Sequence, residues 1–317
     1  MAGRSLRGLD LSARGGQTEI AYLEGRFFIV SLSLIGQIVF NGVIISSVYV
    51  LLAVGFNLVW GILGIFNFAH GHFYMLGAFL AWYFISSLSL NFYLSFLISA
   101  GSIFVISAMA LKGILGPLRN NELVCVMASL GLSSLIEGIA MVIFGGEARM
   151  VNLPVTGAIR LGGVFISYPR LATLVISLLV FFIFLYLVYF TKFGRALRAT
   201  GSDPEMAQVQ GINISRIYFT TFCIGTVLAG IGGIVACHMT PLMPYMGMDF
   251  SLKAFVVVVL GGLGSIPGAV VGALIIGLLE SFIGSLINPT VAIIVSFVVV
   301  LFILLVKPSG LMGLQAK

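Results

Sequence analysis

The feature that most constrains this sequence is a long run, residues 27–111, that contains no Asp, Glu, Lys or Arg. A second such run, residues 171–190, has the roughly 20 apolar residues that a bilayer-spanning helix needs. Because hydrocarbon offers no partner to a backbone N–H or C=O, each spanning segment must satisfy these groups internally. Strands of a membrane barrel would alternate polar and apolar residues, and neither run does so. The sequence therefore predicts an all-α integral membrane protein, a polytopic helical bundle.

The composition excludes several other classes of protein. Of the 317 residues, 60% are hydrophobic and 8% are charged, whereas ordinary soluble domains carry about 25% charged residues. The net charge of +6 does not indicate nucleic-acid binding, because the basic residues lie between apolar segments, where they set membrane orientation. Cys125, Cys223 and Cys237 fall inside apolar stretches without paired spacing, which indicates buried thiols and no metal site.

Polar breaks divide the chain into one membrane domain and two tails. We expect residues 1–26 to be a cytoplasmic tail, since no small-residue cleavage site follows them as in a signal peptide. Residues 27–306 form the transmembrane domain, with a cytoplasmic loop at 191–216, and residues 307–317 form a second cytoplasmic tail. Lys253 then lies outside. With both tails inside the number of crossings is even, and we expect about eight to ten helices.

The first stretch that indicates function is 57–79, in which glycines interrupt an apolar segment that also holds Asn57, Asn67, His70 and His72. Amides and imidazoles are costly in hydrocarbon without partners. This pattern favours a broken helix that lines a cavity. The alternative is helix packing through small residues, with the polar groups as hydrogen-bonding links between helices.

The second stretch is 254–280, where the string GGLGSIPG lies in the middle of an apolar run. One straight helix of this length would be about 40 Å long, too long for a hydrocarbon layer of about 30 Å. We therefore predict a break at this string, with one segment running inward and the next running back out. Two interrupted hydrophobic segments, one in each half of the chain, point to a transport pathway.

The third stretch is the loop 191–216. Ser202 and Glu205 have the spacing of a capping box, with Pro204 in the first turn and Gly211 as a stop. The sequence predicts a short amphipathic helix here, which serves either as a solvated connector or as a docking helix for another protein.

Common catalytic motifs are missing from the sequence, and two carboxylates lie in or near its apolar segments. The chain has no G-x-x-x-x-G-K-[ST] phosphate loop, H-E-x-x-H or G-x-S-x-G motif, so neither ATP hydrolysis by that route nor a familiar hydrolase site is expected. Glu137 lies in the middle of a span, as a functional candidate or a partnered structural carboxyl. Glu280 is expected nearer an interface and is less informative.

Four strings resemble one transporter family. They are FNFAHGHFYMLGAF, GRALRATGSDPEMAQVQGIN, VLGGLGSIPGAVVGALIIG and a terminal KPSGLMG in which Lys307 replaces the family's usual Arg. In this order they resemble the permease subunits of the branched-chain amino-acid ATP-binding-cassette importers, the LivH-like half. The resemblance extends from about Ile35 to Gly313.

The resemblance implies a heterodimer with a sister permease, two separate ATPase subunits and a periplasmic substrate-binding protein, in the inner membrane. No cofactor would be bound by this chain, since ATP belongs to the partner subunits, and the chain itself would not be an enzyme. The substrates would be leucine, isoleucine and valine; related permeases carry urea, short amides, aromatic acids or sugars. An ion-coupled secondary transporter is the remaining alternative.

The resemblance and the three stretches together supply two groups of candidate residues. Those expected to couple to an ATPase are Gly194, Arg195, Ala196, Arg198, Asp203, Glu205, Ala207, Gly211 and Ile212. Those expected in the pathway and its broken helices, with Glu137 added from its position in a span, are Asn57, Asn67, His70, Gly71, Glu137, Gly261, Gly262, Gly264, Ser265 and Pro267.

Overall fold

The computed structural model describes the backbone of residues 8–118, 121–151, 157–161 and 163–313, and the side chains from residue 33 onward within these ranges except residue 161. The described chain is a helical bundle. Its helices are α1 (Gly8–Leu63), α2 (His70–Trp82), α3 (Phe92–Ala110), α4 (Gly116–Leu118), α5 (Glu122–Phe144), α6 (Tyr168–Phe190), α7 (Lys192–Ser202), α8 (Pro204–Val209), α9 (Ile214–Ala236), α10 (Met246–Gly261), α11 (Ile266–Leu286) and α12 (Pro289–Val306).

Three smaller elements join the helices. A π-helical turn, Tyr83–Ser87, extends α2, and another, Leu111–Leu115, joins α3 to α4. A two-stranded antiparallel hairpin, β1 (Ala158–Leu161) and β2 (Val164–Ser167), lies just before α6.

Seven helices within the described ranges are long and apolar enough to cross a membrane. They confirm the predicted all-α membrane bundle and include the described part of α1, Ser33–Leu63. The helices α2 and α10 have only 13 and 16 residues and lie largely buried among the others. Together with the seven candidate spans they give nine bundle helices in the described ranges, and eight to ten were expected.

The two ends of the bundle can be told apart by their loops. The side that carries α7 and α8 is called here the inner side. The C-terminal end of α1 lies at this side, because Gly201 of α7 packs on Ile62. Ser33 lies beside the hairpin residue Gly163 at the opposite, outer side. The prediction of an even number of crossings therefore depends on residues 1–32. The predicted cytoplasmic tail 1–26 lies outside the residues whose side chains are described.

Both predicted helix breaks are confirmed. The helix α1 ends at Leu63 and α2 begins at His70, with a non-helical segment 64–69 that returns the chain into the bundle. The second break separates α10 from α11 at residues 262–265. Gly262 and Gly264 in this turn have φ angles of +108° and +81°, which only glycine adopts without strain.

Glycines allow the inner helices to touch backbone to backbone. A Cβ atom at Gly77 of α2 would overlap the carbonyl oxygen of Gly230 in α9, and a Cβ at Gly233 would overlap that of Tyr74. The helices α10 and α11 make a similar contact between Gly261 and Gly268. Small residues at such crossings are typical of helix association in lipid, where no hydrophobic force brings helices together.

The outer helices have a different surface. Large apolar side chains of α3, α5, α6 and α12 are exposed, including Leu97, Val142, Phe190 and Leu305. This is the surface that a bilayer would cover.

The loop 191–216 contains more helical structure than the sequence predicts. The helix α7 was not expected, and Ser202 is its last residue rather than the cap of the next helix. Asp203 caps α8 instead, since its side chain accepts a hydrogen bond from the Met206 N–H at 3.0 Å. The prediction of Ser202 as the N-cap residue is therefore wrong by one position. The predicted stop at Gly211 is confirmed, with a φ angle of +82° directly after α8.

The glycine contacts predict a position-dependent effect of one added methyl group. Gly233→Ala should lower the thermal unfolding midpoint of the detergent-solubilised protein, because the overlap with Tyr74 forces α2 and α9 apart at a cost of about 1–3 kcal/mol. Gly101→Ala is the matched control, since no heavy atom lies within 4 Å of a Cβ at Gly101 in α3. Its midpoint should be unchanged or higher, because Ala favours a helix by about 1 kcal/mol over Gly. Equal shifts in the two variants would contradict the packing argument.

Candidate functional site

The segment before α2 is fixed by serines from two other helices. Ser129 of α5 accepts a hydrogen bond from the Phe68 N–H at 3.1 Å. Ser251 of α10 donates to the Phe68 carbonyl at 2.7 Å and accepts from the Gly71 N–H at 2.9 Å. A Cβ at Gly71 would overlap the α10 backbone. The non-helical backbone is thus satisfied by side chains inside the protein, as a bilayer requires.

Asn67 and His70 are both buried in this segment. The Asn67 Oδ1 atom accepts a hydrogen bond from the Ala69 N–H at 3.1 Å, and His70 Nε2 lies 3.0 Å from the Leu52 carbonyl oxygen. Among the described residues, Asn67 Nδ2 and His70 Nδ1 have no hydrogen-bond partner. Of these four side-chain polar atoms, only His70 Nε2 contacts another helix, so the packing alternative accounts for part of this segment.

Asn57 joins the first motif to the third. Its Nδ2 atom donates to the Ser265 carbonyl at 2.8 Å, and its Oδ1 atom accepts from the Gly264 N–H at 2.6 Å. Ser265 also caps α11, because its hydroxyl accepts from the Gly268 N–H at 3.1 Å, and Pro267 occupies the first turn. One buried amide thus holds the turn between α10 and α11 against α1.

The terminal KPSGLMG string packs on the same turn. The Leu311 N–H donates to the Leu260 carbonyl at 2.9 Å, and the Met312 N–H donates to the Gly261 carbonyl at 2.8 Å. A Cβ at Gly262 would overlap the backbone of Gly313. Asn57, the third string and the terminal string therefore form one structural unit at the inner end of α10.

Glu137 has a partner. Its Oε2 atom lies 3.5 Å from Nε2 of the buried His72, while 37% of the Glu137 side chain is exposed on α5. A partly exposed carboxylate in the middle of a spanning helix is unfavourable against lipid.

The outer side of the bundle contains a cavity of about 340 Å³, called here the outer cavity. On its wall Glu280 Oε2 accepts a hydrogen bond from the Tyr49 hydroxyl at 2.6 Å and lies 3.1 Å from the Lys253 ammonium. The ammonium also donates to the Tyr49 hydroxyl at 2.7 Å. Sequence reasoning placed Lys253 in an outside loop and treated Glu280 as uninformative. Lys253 instead lies within α10, and the two form a largely buried ion pair.

Arg170 also lines the outer cavity. Its Nη1 atom donates to Asn41 Oδ1 at 2.9 Å. His238, in the turn after α9, is close to this guanidinium; burial and the positive charge of Arg170 lower the pKa of His238 to about 4. The imidazole is therefore neutral near pH 7, and Arg170 carries the charge at this part of the wall.

A second cavity, the inner cavity, has a volume of about 940 Å³ and lies on the side of α7 and α8. Two cationic residues, Lys112 and Arg216, line it together with Leu63, Asn213 and Phe219. None of the predicted pathway residues lines either of these two cavities. Their role in a pathway stays a prediction.

The predicted coupling segment divides into a buried and an exposed part. In α7, Gly194 packs against the carbonyl of Val188, and Arg198 donates to the same carbonyl. Arg195 is exposed and Ala196 is half-buried.

The second half of the coupling segment projects from the bundle. Ala207 is the buried residue of α8, whereas Glu205, Met206 and Val209 are exposed. Ile212 closes the turn after α8 by donating its N–H to the Ala207 carbonyl at 3.1 Å.

Comparison with known proteins decides the family. Residues 38–304 match the family described as "Branched-chain amino acid transport system / permease component". The chain belongs to this family. It is a transport permease and a multi-pass protein of the inner membrane, as the resemblance in the sequence implies.

Several relatives share almost the whole chain. The chain is 32% identical over 294 residues to the high-affinity branched-chain amino acid transport system permease protein LivH of Salmonella typhimurium, covering 87% of this chain and 95% of that protein. It is 33% identical to BraD of Pseudomonas aeruginosa, covering 86% and 94%. The ribose import permease protein RbsC of Escherichia coli is 30% identical over 57% of this chain and 59% of its own length.

One solved structure has the same fold. PsaBC from Streptococcus pneumoniae in complex with Fab aligns with a TM-score of 0.50 at 14% sequence identity, and covers 85% of this chain and 91% of that chain. At this identity the likeness concerns the fold alone.

The Asn57 contacts predict a structural role that can be measured without transport. Asn57→Leu removes two hydrogen bonds, to the Gly264 N–H and to the Ser265 carbonyl, each with a net value of about 1 kcal/mol, and should lower the thermal midpoint. Ser134→Ala, on the exposed face of α5, is the control and should leave the midpoint unchanged. A midpoint for Asn57→Leu equal to that of the control would show that the amide does not hold the turn.

Proposed function

We propose that this chain is one of two permease subunits of an ATP-driven importer of branched-chain amino acids. The observation that carries the proposal is the likeness to LivH and BraD over nearly the full length of all three proteins. The substrate is leucine, isoleucine or valine. A sugar importer is the second candidate, favoured by the likeness to RbsC, but that likeness covers only 57% of this chain.

ATP is bound and hydrolysed on separate subunits at the inner side, and no cofactor belongs to this chain. The absence of a phosphate-loop motif from the sequence supports this division of roles between the permease and the ATPase subunits. Substrate reaches the outer side on a periplasmic binding protein. Transport then consists of alternating access between the outer and inner sides as the ATPases close and reopen.

The helix α8 docks on an ATPase subunit. Met206 and Val209 support this role, because these apolar side chains are 61% and 82% exposed on a helix of six residues. They lie at the inner side, where α7 connects α8 to the end of α1. Apolar side chains that fill pockets on a partner carry much of the energy of protein interfaces. Arg195 is exposed on α7, whereas Arg198 fixes α7 to α6.

The sister permease covers the exposed face of α5. Glu137 supports this assignment, because a partner would remove its carboxylate from lipid. Gly131, Ser134 and Gly138 lie on the exposed face of the same helix. A Cβ at either glycine would meet no heavy atom within 4 Å, so a second helix has room to approach closely.

The function predicts ATP-dependent uptake of radiolabelled leucine into proteoliposomes that contain the complete transporter. Met206→Asp should reduce uptake at least about tenfold, equivalent to about 1.4 kcal/mol of docking energy, and should reduce copurification of the ATPase. The new carboxylate lies in the first turn of α8, where the helix dipole favours it, so the helix itself is retained. Gln208→Asp on the same helix is the matched control and should transport normally.

Two results of this experiment would contradict the proposal. Leucine uptake that proceeds without ATPase subunits on an ion gradient would indicate a secondary transporter. ATP-dependent uptake of ribose in place of leucine would keep the importer and change its substrate.

The α5 surface predicts which glycine tolerates a large side chain. Gly138→Trp should abolish copurification of the sister permease with the tagged chain, because the indole occupies the space that the partner helix needs. Gly101→Trp on α3, another glycine without neighbours, should leave copurification unchanged. If both variants retain the sister subunit, the interface lies on another face.

A further inference from the structure

The outer cavity contains a charged pair whose bonding capacity is not used up. It lies between α1, α2, α6, α9, α10, α11 and α12, on the side opposite to α7 and α8. Its volume of about 340 Å³ falls within the range of about 300–1,000 Å³ for small-molecule sites. Lys253 and Glu280 form its charged wall, and their side chains are 19% and 11% exposed.

Each member of this pair has one bonding position left. The described contacts of Glu280, from Tyr49 and from Lys253, both go to Oε2. Its Oε1 atom accepts from no described residue. An ammonium has three N–H donors, and Lys253 uses two of them, toward the Tyr49 hydroxyl and Glu280 Oε2. An acceptor oxygen and a donor N–H thus lie side by side at the cavity.

The rest of the wall is mainly apolar and aromatic. Ile45, Val48, Met239, Phe250 and Ile293 line the cavity. Phe250 also stacks on Tyr74, with ring centroids 3.9 Å apart. A ligand for this cavity therefore needs adjacent positive and negative groups at one end and an aliphatic group at the other.

We propose that the outer cavity binds a zwitterionic α-amino acid with an aliphatic side chain. The α-ammonium donates to Glu280 Oε1, the α-carboxylate accepts from the remaining Lys253 N–H, and the side chain lies against Val48 and Ile293. Arg170, which has no ion-pair partner among the described residues, attracts the carboxylate as it arrives. This assignment rests on the proposed function and adds a substrate site within this one chain.

A closed structural ion pair would have a different appearance. Burying two charges costs several kcal/mol per ion, and such pairs are stable when every lone pair and proton is satisfied. Here the pair borders a cavity and leaves one oxygen and one N–H available. A zwitterion would complete both bonds without changing the net charge of the site.

The test measures occupancy directly, by protection of a cysteine from a maleimide. Ser285→Cys places a thiol at an exposed position on the cavity wall, whereas Cys125, Cys223 and Cys237 are buried. The complete transporter is studied in nanodiscs of phosphatidylglycerol, so that no lipid ammonium can occupy the site. The chain without Ser285→Cys measures background labelling.

Leucine should slow labelling by the factor 1 + [L]/Kd, about tenfold at a concentration ten times Kd. Leucinamide, which lacks the carboxylate, and 4-methylpentanoate, which lacks the ammonium, should protect at least about tenfold less well, because each leaves one buried charge of the site unpaired. Equal protection by the three compounds would overturn the proposal.

The double variant Lys253→Met with Glu280→Gln separates binding from folding. Replacing both members of a buried pair by neutral side chains of similar size is close to neutral for stability, whereas replacing one strands a charge. The double variant should assemble with normal size-exclusion behaviour and lose leucine protection. Retained protection would overturn the proposal. Leucine uptake by the unmodified transporter is measured in parallel: uptake without protection refutes the site alone, and protection without uptake refutes the importer alone.

Discussion

Direct contact between helix backbones sets the positions of all the other parts of this protein. In lipid, apolar side chains gain nothing by leaving their solvent, so the inner helices associate through close packing and hydrogen bonds. Glycines at the crossings of α2 with α9 and of α10 with α11 remove the side chains that would keep these backbones apart. Short polar side chains then reach from one helix to the next. Ser251 and Asn57 can bridge helices only because those helices are so close.

This packing divides the molecule into two shells with different surroundings. The inner helices α1, α2, α9, α10 and α11 contact one another and carry the non-helical segments. The helices α3, α5, α6 and α12 expose apolar side chains outward. The helix α7 contacts the inner shell at Gly201 and Ile62, near the inner end of α1 and beyond Asn57. A displacement of α7 would therefore act on the end of α1 through Gly201 and on α6 through Arg198.

The sequence correctly predicts those features of the fold that depend on residues close together along the chain. Uncharged runs give the spans, and glycine and proline give both helix breaks, because these signals are local. The predicted N-cap of α8 is wrong by one residue, since the side chains of Ser202 and Asp203 both offer an oxygen that can accept a hydrogen bond. Lys253 and Tyr49 were missed because they meet Glu280 only in the folded bundle, Tyr49 from more than 200 positions away. Asn57, His70 and His72 each contact another part of the bundle through at least one polar atom, and nothing in the spacing of these residues separates that role from a pathway.

The contact of residues 311 and 312 with the end of α10 has a consequence for biosynthesis. Membrane helices enter the bilayer in order during translation, so α10, its turn and α11 are present before these residues exist. Until residue 312 has left the ribosome, the carbonyl oxygens of Leu260 and Gly261 lack the partners that they have in the finished fold. The hinge between two central helices is thus completed last. A chain that ends just after α12 would contain every described span but would lack the two N–H groups that bind the Leu260 and Gly261 carbonyl oxygens.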